Sequence, residues 1–153
     1  MARRVPADRG VAAWPVVAVA AALAVVGQLI GLYLPRPPDV GWFPGADKLQ
    51  HAVAFALPVL LIPWADALRR RADGRPPRAR ILVLVVWVSA AHAVLSELVQ
   101  HLAYADRVGD PLDVLADWSG VAVGGLVVGL GFALGPGDRR HTLSRLERMT
   151  SDG

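Results

Sequence analysis

Between Ser96 and Asp117 the chain reads SELVQHLAYADRVGDPLDVLAD, which sets one Glu, four Asp and one Arg between two of its most apolar stretches. Upstream, Asp47, Lys48 and His51 fall close together in DKLQH. These residue types support three chemistries. Carboxylates with an imidazole bind a hard or borderline divalent cation. A Glu and a His within reach serve as acid and base, which makes Glu97 and His51 the catalytic candidates. Arg107 and Lys48 can hold a phosphate or carboxylate, as on a lipid or lipid-linked headgroup. No H-E-x-x-H, G-x-S-x-G, P-loop or dinucleotide fingerprint occurs. Cys is absent, which removes thiolate nucleophiles and thiolate metal sites. The residues therefore assign no cofactor, and they leave binding and reaction both open.

The elements that must position these groups are membrane spans. Hydrophobic residues make up 54% of the 153 residues, too many for a soluble domain that must keep a polar surface. No charge occurs from Gly10 to Pro35, a run long enough to cross a bilayer, with Trp14 and Tyr33 near its ends. That run is too long for a signal-peptide core, so it reads as a retained span. The spacing predicts four helices, at about 14–34, 47–68, 81–104 and 111–134. Pro58 and Pro63 predict a kink in the second. Pro111 marks the start of the fourth, and Gly135-Pro136-Gly137 its stop. The expected fold is an all-α, multi-pass helix bundle of residues 14–134 in the plasma membrane.

Positive charge sets the orientation. The N-terminal segment 1–13, the loop after the second span and the tail 135–153 hold 13 of the 16 basic residues. Four spans put all three segments on one side, so both termini are expected in the cytoplasm. The opening stretch then faces outward. The net charge of +3 comes from these loops rather than from one basic face, which argues against nucleic acid and for membrane lipids as partners. In the tail, Leu143, Leu146 and Met149 lie at helical spacing among Arg residues. That pattern suits a helix on anionic headgroups or a solvated tail.

Helical rotation of 100° per residue sorts the polar groups onto faces. Asp113, Asp117, Gly120 and Gly124 fall within roughly 60° of one another in the fourth span. Two carboxylates thus continue into a small-residue patch that favours close helix packing. Gly27 and Gly31 offer a similar surface on the first span, and Gln28 reads as a packing contact. In the third span, Ser89, His92, Ser96, Gln100 and Tyr104 form a stripe with Glu97 at its shoulder. In the second, Asp47 and His51 share a face with Ala54 and Pro58. Charge at membrane depth is turned inward and paired, so these stripes are expected to converge on one outward-facing site. Asp39, Asp106 and Asp110 read as solvated loop charges, and His92 as a hydrogen-bonded structural residue.

DKLQHAVAF (Asp47–Phe55) resembles the D-K-x-x-H-x-x-x-F segment of the VanZ-like family, and SELVQ (Ser96–Gln100) resembles its E-x-x-Q. RVGDPLDVLADWSGVAVG (Arg107–Gly124) is similar to the family's R-x-x-x-x-x-D-x-x-x-N-x-x-G-x-x-x-G. The three blocks match in order. The resemblance carries Asp47, Lys48, His51, Glu97, Gln100, Arg107, Asp113, Gly120 and Gly124 onto family positions. Asp117 stands where the family usually has Asn, which adds a second carboxyl beside Asp113 and alters the protonation or metal preference of the site. The founding member is linked to resistance to the glycopeptide teicoplanin, and the resemblance implies a broader role in the cell envelope. It implies no particular reaction. The binding set expected here is Asp47, Lys48, His51, Glu97, Gln100, Arg107, Asp113 and Asp117, with a lipid-linked cell-wall precursor or glycopeptide-related molecule as the class of ligand. An intramembrane hydrolase or transferase and an interhelical ion-pair lock are the rival readings. The small-residue patches suit packing within one chain or between chains, so no oligomeric state is assigned.

Overall fold

The computed structural model describes residues 13–34, 43–104 and 109–134. They form four helices: α1 (Ala13–Tyr33), α2 (Ala46–Ala72), α3 (Ala79–Ala103) and α4 (Pro111–Ala133). All four are long and apolar enough to cross a membrane. At a rise of about 1.5 Å per residue, even the shortest reaches about 30 Å, the thickness of the hydrocarbon layer. The described residues thus form an all-α bundle, built as a multi-pass membrane protein. The boundaries match the expected spans except at the end of α2, which continues through the basic cluster Arg69, Arg70 and Arg71. Positive side chains there complement the helix dipole.

Local chemistry explains the helix ends. After α2, Gly74 takes φ +68. Its N–H bonds Arg71 O at 3.0 Å, and Arg75 N–H bonds Arg70 O at 2.7 Å. This closes the exposed carbonyls in a left-handed turn that glycine tolerates best. At the start of α4, Asp110 is the N-cap, its carboxylate accepting from Leu112 N–H at 2.9 Å. Pro111 follows at the first helical position, where its missing N–H costs nothing.

The helices run up, down, up, down. At one end the Arg69 guanidinium sits 5.7 Å from the Trp14 ring, joining the start of α1 to the end of α2. At the other end Tyr104 O–H donates to Tyr33 O at 2.8 Å, joining the ends of α3 and α1. Helix α2 is central and packs mainly on α4 and α1. Phe55 and Val59 of α2, Leu32 of α1, Ala93 of α3 and Val121 of α4 form the core. The outer faces are apolar, with Trp87 71% and Leu102 74% exposed. Apolar surface of this extent suits contact with lipid tails. Pro58 and Pro63 both lie inside α2 and are buried.

The glycines divide in a way that spacing did not foresee. A Cβ on Gly120 would strike the Ala52 backbone, and one on Gly124 would lie 2.8 Å from Ala56 O. The α4 patch is therefore a close contact with α2, as expected. Gly27 and Gly31 instead have nothing within 4 Å of a Cβ. The packing face of α1 is the stripe of Ala21, Gln28 and Leu32, and the two glycines lie off it. Their expected role in close packing is corrected accordingly.

Candidate functional site

The start of α2, the end of α3 and the start of α4 meet at one end of the bundle. Lys48 is the electrostatic centre. Its Nζ lies 2.5 Å from Asp113 Oδ1, 2.6 Å from Asp110 Oδ2 and 3.2 Å from Asp47 Oδ2. Two of the three ammonium N–H donors are hydrogen-bonded, to Asp110 and Asp113, and Asp47 adds an ion-pair contact. Asp110 lies just before α4, and the Lys48 hydrogen bond, with a smaller contribution from Leu112 N–H, holds its carboxyl below the usual aspartate range. Asp110 keeps the solvent access expected of a loop acid, its side chain 39% exposed, and is in addition paired with Lys48. The N-cap position turns it back toward α2, where it meets Lys48.

One turn deeper on α2, His51 Nδ1 lies 3.0 Å from Oδ1 of the fully buried Asp117. A carboxylate accepts, so this contact places the proton on Nδ1 and leaves Nε2 directed elsewhere. Nε2 lies 3.8 Å from Asp113 Oδ2, beyond hydrogen-bonding distance. The spacing of α4 makes this possible, because Asp113 and Asp117 are one turn apart and bracket the imidazole.

Glu97 comes in from α3. Its Oε2 accepts from Asp110 N–H at 3.0 Å. Gly109 permits the approach, since a Cβ there would lie 2.8 Å from Glu97 O and 3.1 Å from the His101 Cβ. Glu97 Oε1 is buried without a hydrogen-bond partner, as are Gln100 Nε2 and Asp117 Oδ2. One ligand atom from each of His51, Glu97 and Asp113 lies within 4.8 Å of the others. Orphaned buried polar atoms are costly, and their concentration here sets this cluster apart.

Seven of the eight expected binding residues are thus brought to this end of the bundle, with Asp47 at the rim and Gln100 one turn from Glu97. Arg107 lies outside the described residues, as do Asp39 and Asp106. Gly109 and Asp110 are the participants that spacing missed. The signal for Asp110 was present in Asp-Pro at a helix start, which is an N-cap pattern. Nothing local marked Gly109.

His92 stands apart. Its Nε2 is 3.0 Å from Tyr33 O–H, and its ring is 5.6 Å from that of Phe55. It ties α3 to α1 and α2, in keeping with a structural role. Helix α1 sends no carboxylate or cation toward the cluster, because Ala13–Tyr33 contains none.

Five carboxyl groups (Asp47, Glu97, Asp110, Asp113 and Asp117) here face one ammonium and one imidazole. Among the described residues the cluster is thus rich in negative charge and in unfilled acceptors. No family model, curated protein or solved structure matches the chain.

Proposed function

We propose that this chain is a VanZ-like protein of the bacterial plasma membrane whose polar end faces outward and binds the headgroup of a lipid or lipid-linked envelope precursor. The observation that carries this reading is the trio of buried, unpartnered atoms Glu97 Oε1, Gln100 Nε2 and Asp117 Oδ2 where α2, α3 and α4 meet. Two are acceptors and one is a donor. Sugar hydroxyls or an amine would satisfy the acceptors, and the Gln100 amide would donate to a carbonyl, hydroxyl or phosphate oxygen. Lys48 is already engaged by three carboxylates, so hydroxyl and amine donors suit the acceptors better than a bare phosphate does. An influence on glycopeptide susceptibility follows from the family resemblance alone.

The outward orientation rests on the Arg-rich segments at the opposite end, of which Arg69, Arg70 and Arg71 close α2. A reporter domain inserted at Gly74 is expected to read cytoplasmic. An extracytoplasmic signal would reverse the whole topology.

Native mass spectrometry of the detergent-released protein tests the headgroup reading. Wild type is expected to retain a lipid or lipid-linked species, and Glu97→Ala to lose at least about tenfold of that occupancy, since one lost charged hydrogen bond is worth about 1.5–3 kcal/mol. Equal occupancy in both proteins would remove the basis for this function. The second reading, an interhelical lock, is favoured by the way Lys48 bridges α2 to the start of α4. It predicts that Glu97→Ala lowers thermal stability and leaves lipid occupancy unchanged.

A further inference from the structure

We propose that His51, Glu97 and Asp113 hold one divalent transition-metal ion, with Asp117 as the residue that orients the imidazole. The argument begins at the ring. Asp117 Oδ1 engages Nδ1 at 3.0 Å, so the lone pair of Nε2 points away from the acid that anchors it. A carboxylate on one ring nitrogen is the usual support for a histidine that binds metal through the other, because it fixes the tautomer and raises the basicity of the ligand. On the Nε2 side the nearest acid is Asp113, whose Oδ2 stands 3.8 Å away. That is too long for a hydrogen bond, and it is the kind of gap that a cation closes.

The third ligand atom comes from Glu97. One ligand atom from each of His51, Glu97 and Asp113 lies within 4.8 Å of the other two. Donors around one ion, at bond lengths of about 2.0–2.2 Å, stand about 3.0–3.5 Å apart, so side-chain rotations of about 1 Å complete the set. Independent support comes from Glu97 itself. The residue is only 6% exposed, its carboxylate enters the cluster, and Oε1 has no partner while Oε2 is held by Asp110 N–H. A buried carboxylate oxygen with nothing to accept from is an acceptor waiting for a cation.

Charge points the same way. Lys48 offsets one unit of the negative charge gathered from α2, α3 and α4, and a divalent ion would offset two more. The donor set also selects the ion. One imidazole and two carboxylates suit Zn²⁺ or Mn²⁺, whereas Mg²⁺ prefers oxygen alone. Three protein ligands leave a coordination position open, which is the pattern of sites where a metal meets a second molecule. This assignment competes with the headgroup reading for Glu97 Oε1, and the two can be told apart. A chain that takes up the metal and retains no lipid would end that reading and leave this one standing.

The test is calorimetric titration of the full chain in detergent, stripped with chelator, using Zn²⁺ and Mn²⁺. Wild type is expected to bind one equivalent. Glu97→Gln and Asp113→Asn should bind about 100-fold more weakly, and Asp117→Asn about tenfold more weakly through loss of orientation. Asp73→Asn, in the loop at the opposite end, should match wild type. X-ray absorption on the zinc-loaded wild type should show a nitrogen and oxygen shell that includes an imidazole, and this readout needs no variant to fold. Equal affinity of wild type and a folded Glu97→Gln, or a zinc shell without imidazole, would overturn the proposal.

Discussion

Replacing Gly120 with Ala is expected to destabilise the bundle by about 3 kcal/mol, the upper part of the range for overpacking a tight interface. The added Cβ would strike the backbone of Ala52, and a backbone carbonyl inside a helix cannot rotate aside as a flexible side chain can. Helices α2 and α4 must therefore separate, along the most extensive contact in the molecule. The damage would spread to the polar site. Ala52 follows His51, and Gly120 lies one turn beyond Asp117, so the same separation pulls the imidazole from its carboxylate. Gly124→Ala should cost less, because Val59 supplies part of the crowding through its side chain and can adjust. Gly27→Ala and Gly31→Ala should stay within about 0.5 kcal/mol of wild type, since both face open space. Unfolding of the four variants in detergent micelles checks the ordering. A Gly120→Ala protein as stable as wild type would refute the close approach of α2 and α4.

Lys48→Met is expected to cost about 2 kcal/mol. Removing one partner of a fully buried ion pair costs about 3–5 kcal/mol, and partial solvent access lowers that figure here. The Lys48 side chain is 31% exposed, while Asp113 is 15% exposed and retains little water to replace the lost ammonium. The substitution leaves Asp110 and Asp113 side by side at the start of α4 without the α2 cation that neutralises both. A double-mutant cycle isolates this effect. Lys48→Met combined with Asp113→Asn should cost at least about 1 kcal/mol less than the sum of the two single changes, because the second change removes the charge that the first left unpaired. Additive costs would mean that the ammonium contributes nothing specific to this site. Asp47→Asn should matter less than Asp113→Asn, since the Asp47 side chain is 60% exposed and its contact with Lys48 is longer.

Much of the architecture could be read without coordinates. The length of an apolar run is set by the thickness of the bilayer, which is a local property of the chain, so four runs became four helices with bounds correct to a few residues except at the end of α2. Face assignments also survived, because 100° of rotation per residue holds wherever a helix goes. Asp113, Asp117, Gly120 and Gly124 do share one face, and the two glycines do meet α2. The depth of Glu97 was legible as well, since an acid two turns inside a span must be buried against protein.

What spacing left undecided is which face meets which neighbour. Gly27 and Gly31 have the same sequence pattern as Gly120 and Gly124, yet α1 turns a different stripe toward α2. Asp110 reads as a loop acid until the turn after Gly109 folds it onto Lys48 and Glu97. The partners of a charge depend on helix rotation and order about the bundle, and on separations resolved to a fraction of an ångström. Those quantities belong to no single helix. Composition and periodicity thus determined that this chain crosses the membrane four times with acids, a lysine and a histidine turned inward. Only the tertiary structure decided that Lys48 is consumed by three carboxylates, and that His51, held by Asp117, turns its other nitrogen toward Asp113, because both arrangements arise from atoms brought together across different helices.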